Sequence, residues 1–158
     1  MPVTTYGACL KIAALGVRVH SGWGALVCMS GDPAIPELVD RRRVVIIDSM
    51  MQGAKQPYHF AQNLGLEEAE RHLLKCAAVS QRLAVQAICE MLDGVTARKY
   101  RVLGCAMLLA SGRALPSLQK ILASHALIQT AEESSSATPS ETHAKPAISP
   151  SCVFASVN

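Results

Sequence analysis

A chain of 158 residues, 50% of them hydrophobic, has enough apolar surface for one buried core. The formal net charge of +3 is too small to indicate a nucleic-acid-binding protein. No run without Asp, Glu, Lys or Arg, Val19 to Gly31 included, reaches the roughly 20 apolar residues of a membrane span. The start of the chain, "MPVTTYGACLK", does not resemble a signal peptide. We therefore expect a cytoplasmic domain with no membrane partner.

The first half of the chain predicts three antiparallel strands. Lys11 to His20 and Trp23 to Ser30 are apolar and rich in β-branched residues, and Ser21-Gly22 between them fits a two-residue hairpin turn. The run "SGDPAIP" is dense in turn formers, and a third strand is predicted from about Leu38 to Asp48. Its arginines, in "DRRR" from Asp40 to Arg43, are typical of an edge strand.

A long connection, two helices and a fourth strand follow. Asp48 to Gly65 is predicted as a loop, and loops of this length within a domain often carry function. Apolar residues at helical spacing predict a helix from Leu66 to about Gly94. The apolar run Tyr100 to Ala110 favours a central strand covered on both faces, and Pro116 or Ser117 is expected to open a second helix.

The chain is therefore predicted to contain one α/β domain. Residues 1–10 form an N-terminal extension, and residues 11–132 form the domain. Residues 133–158 are rich in serine and proline, a composition typical of a disordered tail.

The order of elements resembles a known topology. The predicted order is three strands in a meander, a long right-handed crossover helix, a parallel fourth strand and a final helix. This order is similar to that of the ribonuclease H-like fold. That fold is shared by many nucleases, by actin-like ATPases and by the middle domain of eukaryotic-type release factors. The stretches "LGVRVHSGW" and "ASGRALPSLQKILASHALI" also resemble a bacterial family to which no activity is attached. The resemblance in the order of elements implies a mixed sheet of ribonuclease H-like topology.

The topology points to one edge of the sheet as a ligand site. Open α/β sheets bind ligands at the carboxyl ends of their parallel strands, and helix N-termini at that edge favour anions. The hairpin turn, the long connection and "SGR" after the fourth strand would all meet there. The leading hypothesis is therefore a module that binds a phosphate-bearing small molecule. The predicted ligand-binding residues are Ser21, Gly22, Lys55, Ser111, Gly112 and Arg113, with His20 nearby.

A hydrolase is the first alternative, and the sequence leaves open whether the protein is an enzyme. His20 or His59 would act as general base, or Ser21, His59 and Asp48 as nucleophile, base and orienter. Nuclease chemistry of the ribonuclease H type needs clustered carboxylates for two divalent metals, and the first and fourth strands contain none. The cysteines show no paired metal-binding spacing, so neither a metal nor another cofactor is predicted.

Two further alternatives depend on position in the fold. The segment "MQGAKQPYH" stands where release factors carry a Gly-Gly-Gln tip, which it lacks, and release-factor-like peptidyl-tRNA chemistry stays an alternative on position alone. An exposed third strand could instead pair with a protein partner. Trp23 is expected to anchor the core beneath the hairpin, and His125 to lie on the buried stripe of the last helix.

Overall fold

The computed structural model describes residues 10–108, 114–135 and 154–155. They form a mixed α/β fold in which one sheet has the strand order β3-β2-β1-β4-β5. The elements are, in chain order, β1 (Lys11–His20), β2 (Trp23–Asp32), β3 (Ile35–Val45), α1 (Pro57–Ala61), α2 (Leu66–Ala97), β4 (Tyr100–Leu108), α3 (Leu118–Leu122), α4 (His125–Ser135) and β5 (Phe154–Ala155).

The sheet has the mixed pairing that the order of elements predicts. Strands β1, β2 and β3 form an antiparallel meander. The long helix α2 then returns the chain so that β4 pairs parallel with β1, from Lys11 opposite Tyr100 to Arg18 opposite Leu108. Within the described sheet β3 lies at one edge, as expected from its arginines, and the short β5 pairs with β4 at the other.

The β1–β2 hairpin confirms the predicted turn. Gly22 has φ +78°, a left-handed backbone conformation in which a side chain is strained. A Cβ at this position would also lie 3.0 Å from Cδ1 of Ile47. The carbonyl of Gly22 accepts a hydrogen bond from the Ile46 N–H (3.1 Å), which fastens the turn to the residues that leave β3.

The β2–β3 turn is tighter than the sequence suggests, so the predicted bounds of the third strand, Leu38 to Asp48, are displaced. Asp32 Oδ1 accepts the N–H of Ala34 (2.8 Å), and this local bond closes the turn within "SGDPAIP". Strand pairing therefore continues as far as Asp32 opposite Ile35. Pro36 is tolerated because β3 is an edge strand.

One face of the sheet packs against α2 and forms the main core. Side chains that alternate along β1 and β2 point to this face and meet the last turns of α2. The buried members of the cluster are Ala13, Leu15, Val17, Leu26, Cys28, Met91 and Val95. Met91 and Val95 are fully buried, so the C-terminal third of α2 holds the sheet in place.

The opposite face is called here the open face, and each of its described residues is exposed or half-buried. Its residues are Ile12, Ala14, Gly16, Arg18 and His20 of β1, Trp23, Ala25, Val27 and Met29 of β2, Leu38, Arg41, Arg43 and Val45 of β3, and Arg101, Leu103, Gly104, Ala106 and Leu108 of β4. Leu103 and Leu108 are 52% and 69% exposed. The prediction that β4 is covered on both faces is therefore wrong for Tyr100–Leu108.

The remaining helices form a second, smaller layer beside α2. The predicted long loop contains α1, which begins at Pro57, and the predicted final helix is two helices, α3 and α4. Ile121, Ile128 and Ala131 form their own buried cluster. His125 is exposed, so its predicted place in the core is wrong, because the break between α3 and α4 turns it outward. Among the described residues, no helix combines the length and apolarity needed to cross a membrane.

Candidate functional site at the strand-end edge

The carboxyl ends of β1, β3 and β4 meet at one edge of the sheet. Trp23, the first residue after the hairpin turn, pairs with Val45 at the end of β3, and Arg18 pairs with Leu108 at the end of β4. The Ser21-Gly22 turn and the connection that follows β3 therefore share this edge. Three of the predicted anion-binding residues, Ser111, Gly112 and Arg113, lie outside the described residues.

The connection between β3 and α2 folds around a concave site with a volume of about 440 Å³, called here the depression. Gly53 has φ +75° and packs so closely on Phe60 that a Cβ there would overlap the ring, which favours glycine at this bend. The depression brings two predicted site residues together, Lys55 and His59. Its lining residues are Ser49, Met51, Gln52, Gly53, Ala54, Lys55, Gln56, His59 and Phe60.

Glu132 of α4 fixes the position of His59. Its Oε1 lies 3.3 Å from His59 Nδ1 and also accepts the backbone N–H groups of Tyr58 (2.8 Å) and His59 (3.2 Å). The carboxylate is 11% exposed and thus satisfies donors in the first turn of α1, where no side chain of the N-cap residue does so. The long-range pair therefore holds both α1 and the imidazole in place.

The second ring nitrogen of His59 faces an amide. Gln129 Nε2 lies 3.3 Å from His59 Nε2. If Nδ1–H donates to Glu132, Nε2 is the acceptor and the Gln129 amide is its donor, so the two contacts are consistent with one neutral tautomer. An imidazole held in this way can accept a proton at Nε2 once the exposed Gln129 side chain turns aside.

Asp48, the predicted orienter of a histidine, has a local role in the structure. Its Oδ1 accepts the N–H of Met50 (2.9 Å), closing a turn at the start of the connection. The carboxylate beside His59 is that of Glu132, on a helix 73 residues further along the chain. Sequence reasoning missed Glu132 because no local pattern signals a contact over that separation.

His20 belongs to a different surface. Its ring stacks on Trp23, with ring centroids 4.2 Å apart and an interplanar angle of 11°. The guanidinium carbon of Arg43 lies 4.1 Å from the centre of the indole ring. Two groups at such short distances cannot occupy the same face of one ring, so His20 and Arg43 cover opposite faces of Trp23. Trp23 is half-buried on the open face, so its predicted role beneath the hairpin in the core is wrong.

A sulfur-rich contact lies behind the depression. Cys76 Sγ lies 3.4 Å from His72 Nε2 and 3.5 Å from the sulfur of Met51, and the His72 ring also packs on Phe60. Burial, with the charge of Glu132 as a second cause, raises the pKa of the Cys76 thiol, which therefore stays protonated at neutral pH. This cluster supports the wall of the depression through packing.

Neither metal ligation nor similarity provides a further assignment. The described residues contain no group of three or more His, Cys, Asp or Glu side chains placed to hold a metal ion. Comparison with protein-family models, with curated proteins and with solved structures gives no match to this chain.

Proposed function

We propose that the protein binds a phosphate-bearing small molecule in the depression at the carboxyl edge of the sheet. The observation that carries the proposal is that Lys55 and His59 line one concave surface in which no lining residue is acidic. The amides of Gln52 and Gln56 and the hydroxyl of Ser49 add neutral hydrogen-bonding groups around them. A lysine ammonium and such donors suit the charge and the oxygen atoms of a phosphate group.

The nearby carboxylate does not cancel this positive character. Glu132 Oε1 already receives the N–H groups of Tyr58 and His59 and faces His59 Nδ1. Its charge is therefore directed to α1, and Lys55 is left exposed at the surface of the depression. The hairpin turn at Ser21-Gly22 lies on the same edge and supplies a second group of predicted contacts.

A ribonuclease H-like topology is part of the same proposal. The strand order β3-β2-β1-β4, with α2 joining β3 to the parallel strand β4, supports it. In open α/β sheets of this kind the carboxyl edge is the usual place for a ligand. The placement of the depression is consistent with that rule.

Chemical-shift titration of the full chain with inorganic phosphate, AMP and ATP tests the binding site. We expect saturable amide shifts at residues 52–56 and at Ser21 and Gly22, and weaker binding as salt rises. Lys55→Gln should weaken binding by about 5- to 10-fold, because one charge-assisted hydrogen bond is lost. Lys99→Gln, at the other end of the sheet beside Lys11, is the matched control and should bind as the wild type does.

Two results would contradict the proposal. One is the absence of saturable shifts in a chain whose spectrum shows that it is folded. The other is an equal loss of affinity in Lys55→Gln and Lys99→Gln, because a general charge effect would then explain the binding.

Hydrolysis is the second candidate function, and the contact between His59 and Glu132 favours it. A carboxylate that accepts Nδ1–H fixes the orientation and tautomer of an imidazole, which leaves Nε2 as the nitrogen that can act as general base toward water. On p-nitrophenyl phosphate, His59 would take a proton from the water that attacks phosphorus, the P–O bond to the leaving group would break, and p-nitrophenolate would leave without needing a proton. Hydrolysis of p-nitrophenyl phosphate should then fall at least about 100-fold in His59→Asn. Equal rates in His59→Asn and in the control His20→Asn would exclude this role.

A further inference from the structure

The open face is strongly and uniformly positive. None of its described residues is acidic, and four are arginines: Arg18, Arg41, Arg43 and Arg101. The two carboxylates of β3 make other contacts. Glu37 pairs with Lys11 and Tyr100, and Asp40 pairs with Arg42 and Arg98. The charge of this face is therefore uncompensated within the described chain.

The same face also exposes large apolar side chains. More than half of the surface of each of five residues is accessible: Ile12, Leu38, Val45, Leu103 and Leu108. These residues lie on β1, β3 and β4 with arginines among them, and exposed apolar surface of this kind is typical of an interaction surface. A sheet with one uncovered apolar face also lacks the second layer that domains normally pack on it.

The shape of the patch favours a helix as its occupant. Small residues face each other along the centre of the sheet, Ala14 opposite Gly104 and Gly16 opposite Ala106. A Cβ added at Gly104 would meet no atom of the described residues within 4 Å, so among them this position is open. Val27 and Met29 of β2 flank this row on one side. Ile12, Leu103 and Leu108 stand toward its ends, which leaves a shallow trough over β1 and β4.

Two other occupants fit less well. A single-stranded nucleic acid would need free aromatic faces on which bases can stack, but both faces of Trp23 are covered, by His20 and by Arg43. A second copy of the chain docking face to face would place the arginines of the two sheets against each other, which is unfavourable.

We propose that the open face docks an acidic amphipathic helix of a protein partner. Leucine-type side chains of that helix would enter the trough over Gly16 and Gly104, and its glutamates or aspartates would pair with Arg18, Arg43 and Arg101. This surface shares no residue with the depression, so the proposal goes beyond phosphate binding and does not depend on it.

Fluorescence anisotropy with the full chain tests the charge and the shape together. The probe is a labelled peptide of about 20 residues, helical and about 30 Å long, with leucines on one face and glutamates on the other. The same peptide with lysines in place of glutamates and an oligothymidylate of similar length are the comparison probes. We expect saturable binding of the acidic peptide and at least about 10-fold weaker binding of both comparison probes.

Charge-reversal variants locate the binding. Arg18→Glu combined with Arg101→Glu should weaken binding of the acidic peptide at least about 10-fold, because attraction becomes repulsion at two positions. The matched control, Arg71→Glu with Arg82→Glu on the exposed surface of α2, has the same net charge and should keep most of the affinity. Equal losses in both variants, tighter binding of the oligothymidylate, or no binding of the acidic peptide would overturn the proposal.

A photo-crosslinker shows what occupies the face. With p-benzoylphenylalanine in place of Leu103, irradiation should give an adduct with the acidic peptide and not with the lysine peptide. An intramolecular crosslink to residues 136–153, or a crosslinked dimer that the peptide does not displace, would overturn the proposal in favour of the chain itself as occupant.

Discussion

The two faces of the sheet are built from the same strands but are used differently. Along β1, Leu15 and Val17 are buried beneath α2, whereas Ile12, Ala14 and Arg18, which point to the other face, are exposed. Both sets include apolar residues, so hydrophobicity alone does not distinguish the covered face from the open one. What distinguishes them is the position of α2, which packs against one face and leaves the other available.

The difference separates stability from recognition. Apolar area that α2 removes from water stabilises the fold by about 25 cal/mol per Å². Apolar area on the open face, such as the Leu103 side chain, contributes little to folding while it stays exposed. A substitution on the covered face should therefore change the free energy of unfolding, and one on the open face should change binding.

The largest effect is expected at Met91. This side chain of α2 is fully buried against the sheet, so Met91→Ala should lower the free energy of unfolding by about 2–5 kcal/mol through lost burial and a cavity. Urea denaturation followed by circular dichroism measures it.

Leu103→Ala is the matched change on the open face. Since Leu103 is already 52% exposed, its truncation should cost clearly less, about 1 kcal/mol or below. Equal losses in the two variants would show that the open face is covered in solution, and the contrast between the faces would fail.

A smaller effect is expected at the edge of the covered face, where Asp40 joins β3 to α2. Its Oδ2 accepts hydrogen bonds from Arg42 (2.9 Å) and Arg98 (2.8 Å). Asp40→Asn removes the charge from both bonds and should cost about 1–2 kcal/mol in the free energy of unfolding. Arg41→Gln, on the exposed face of the same strand, should cost less than half as much.

The stabilisation from Asp40 should depend on pH in a defined direction. Burial alone raises the pKa of Asp40, but the hydrogen bonds and charges of Arg42 and Arg98 together lower it below the usual aspartate range. A lowered folded-state pKa means that the stabilisation is complete above about pH 4, the ordinary aspartate value, and is lost as pH falls through the folded-state value. The stability difference between wild type and Asp40→Asn should therefore shrink between about pH 5 and pH 2. A constant difference over that range would contradict the ion pairs as its cause.

Local signals in the sequence predict the parts of the fold that local interactions determine. Gly22 at the hairpin and the apolar spacing of α2 are of this kind, and the strand bounds of β1 match the structure. The order of elements also predicts the parallel pairing of β1 with β4, because a long helix between two strands leaves few other connections.

The rest depends on contacts between distant residues. The pairing of His59 with Glu132 spans 73 positions, and neither residue lies in a motif that announces the other. Of the predicted ligand residues, Lys55 comes to lie beside His59 only because Gly53 bends the connection against Phe60. The size and apolar character of tryptophan predict that Trp23 lies in the core, but strand alternation places it beside His20 and Arg43 on the open face.

Substitution of Arg43 is expected to have the smallest effect on the free energy of unfolding, together with a distinct effect on the fluorescence of Trp23. Its guanidinium lies 4.1 Å from the centre of the Trp23 ring, an arrangement worth about 0.5–1 kcal/mol where it is exposed to solvent. Arg43→Ala should therefore reduce the free energy of unfolding by that amount or less and change the emission of Trp23, the single tryptophan of the chain. Arg41→Ala, two residues away on the same face but not on the ring, should leave the emission unchanged. If both variants change the emission equally, the Trp23 ring responds to the general charge of the open face, and the His20–Trp23–Arg43 stack is not what orders it.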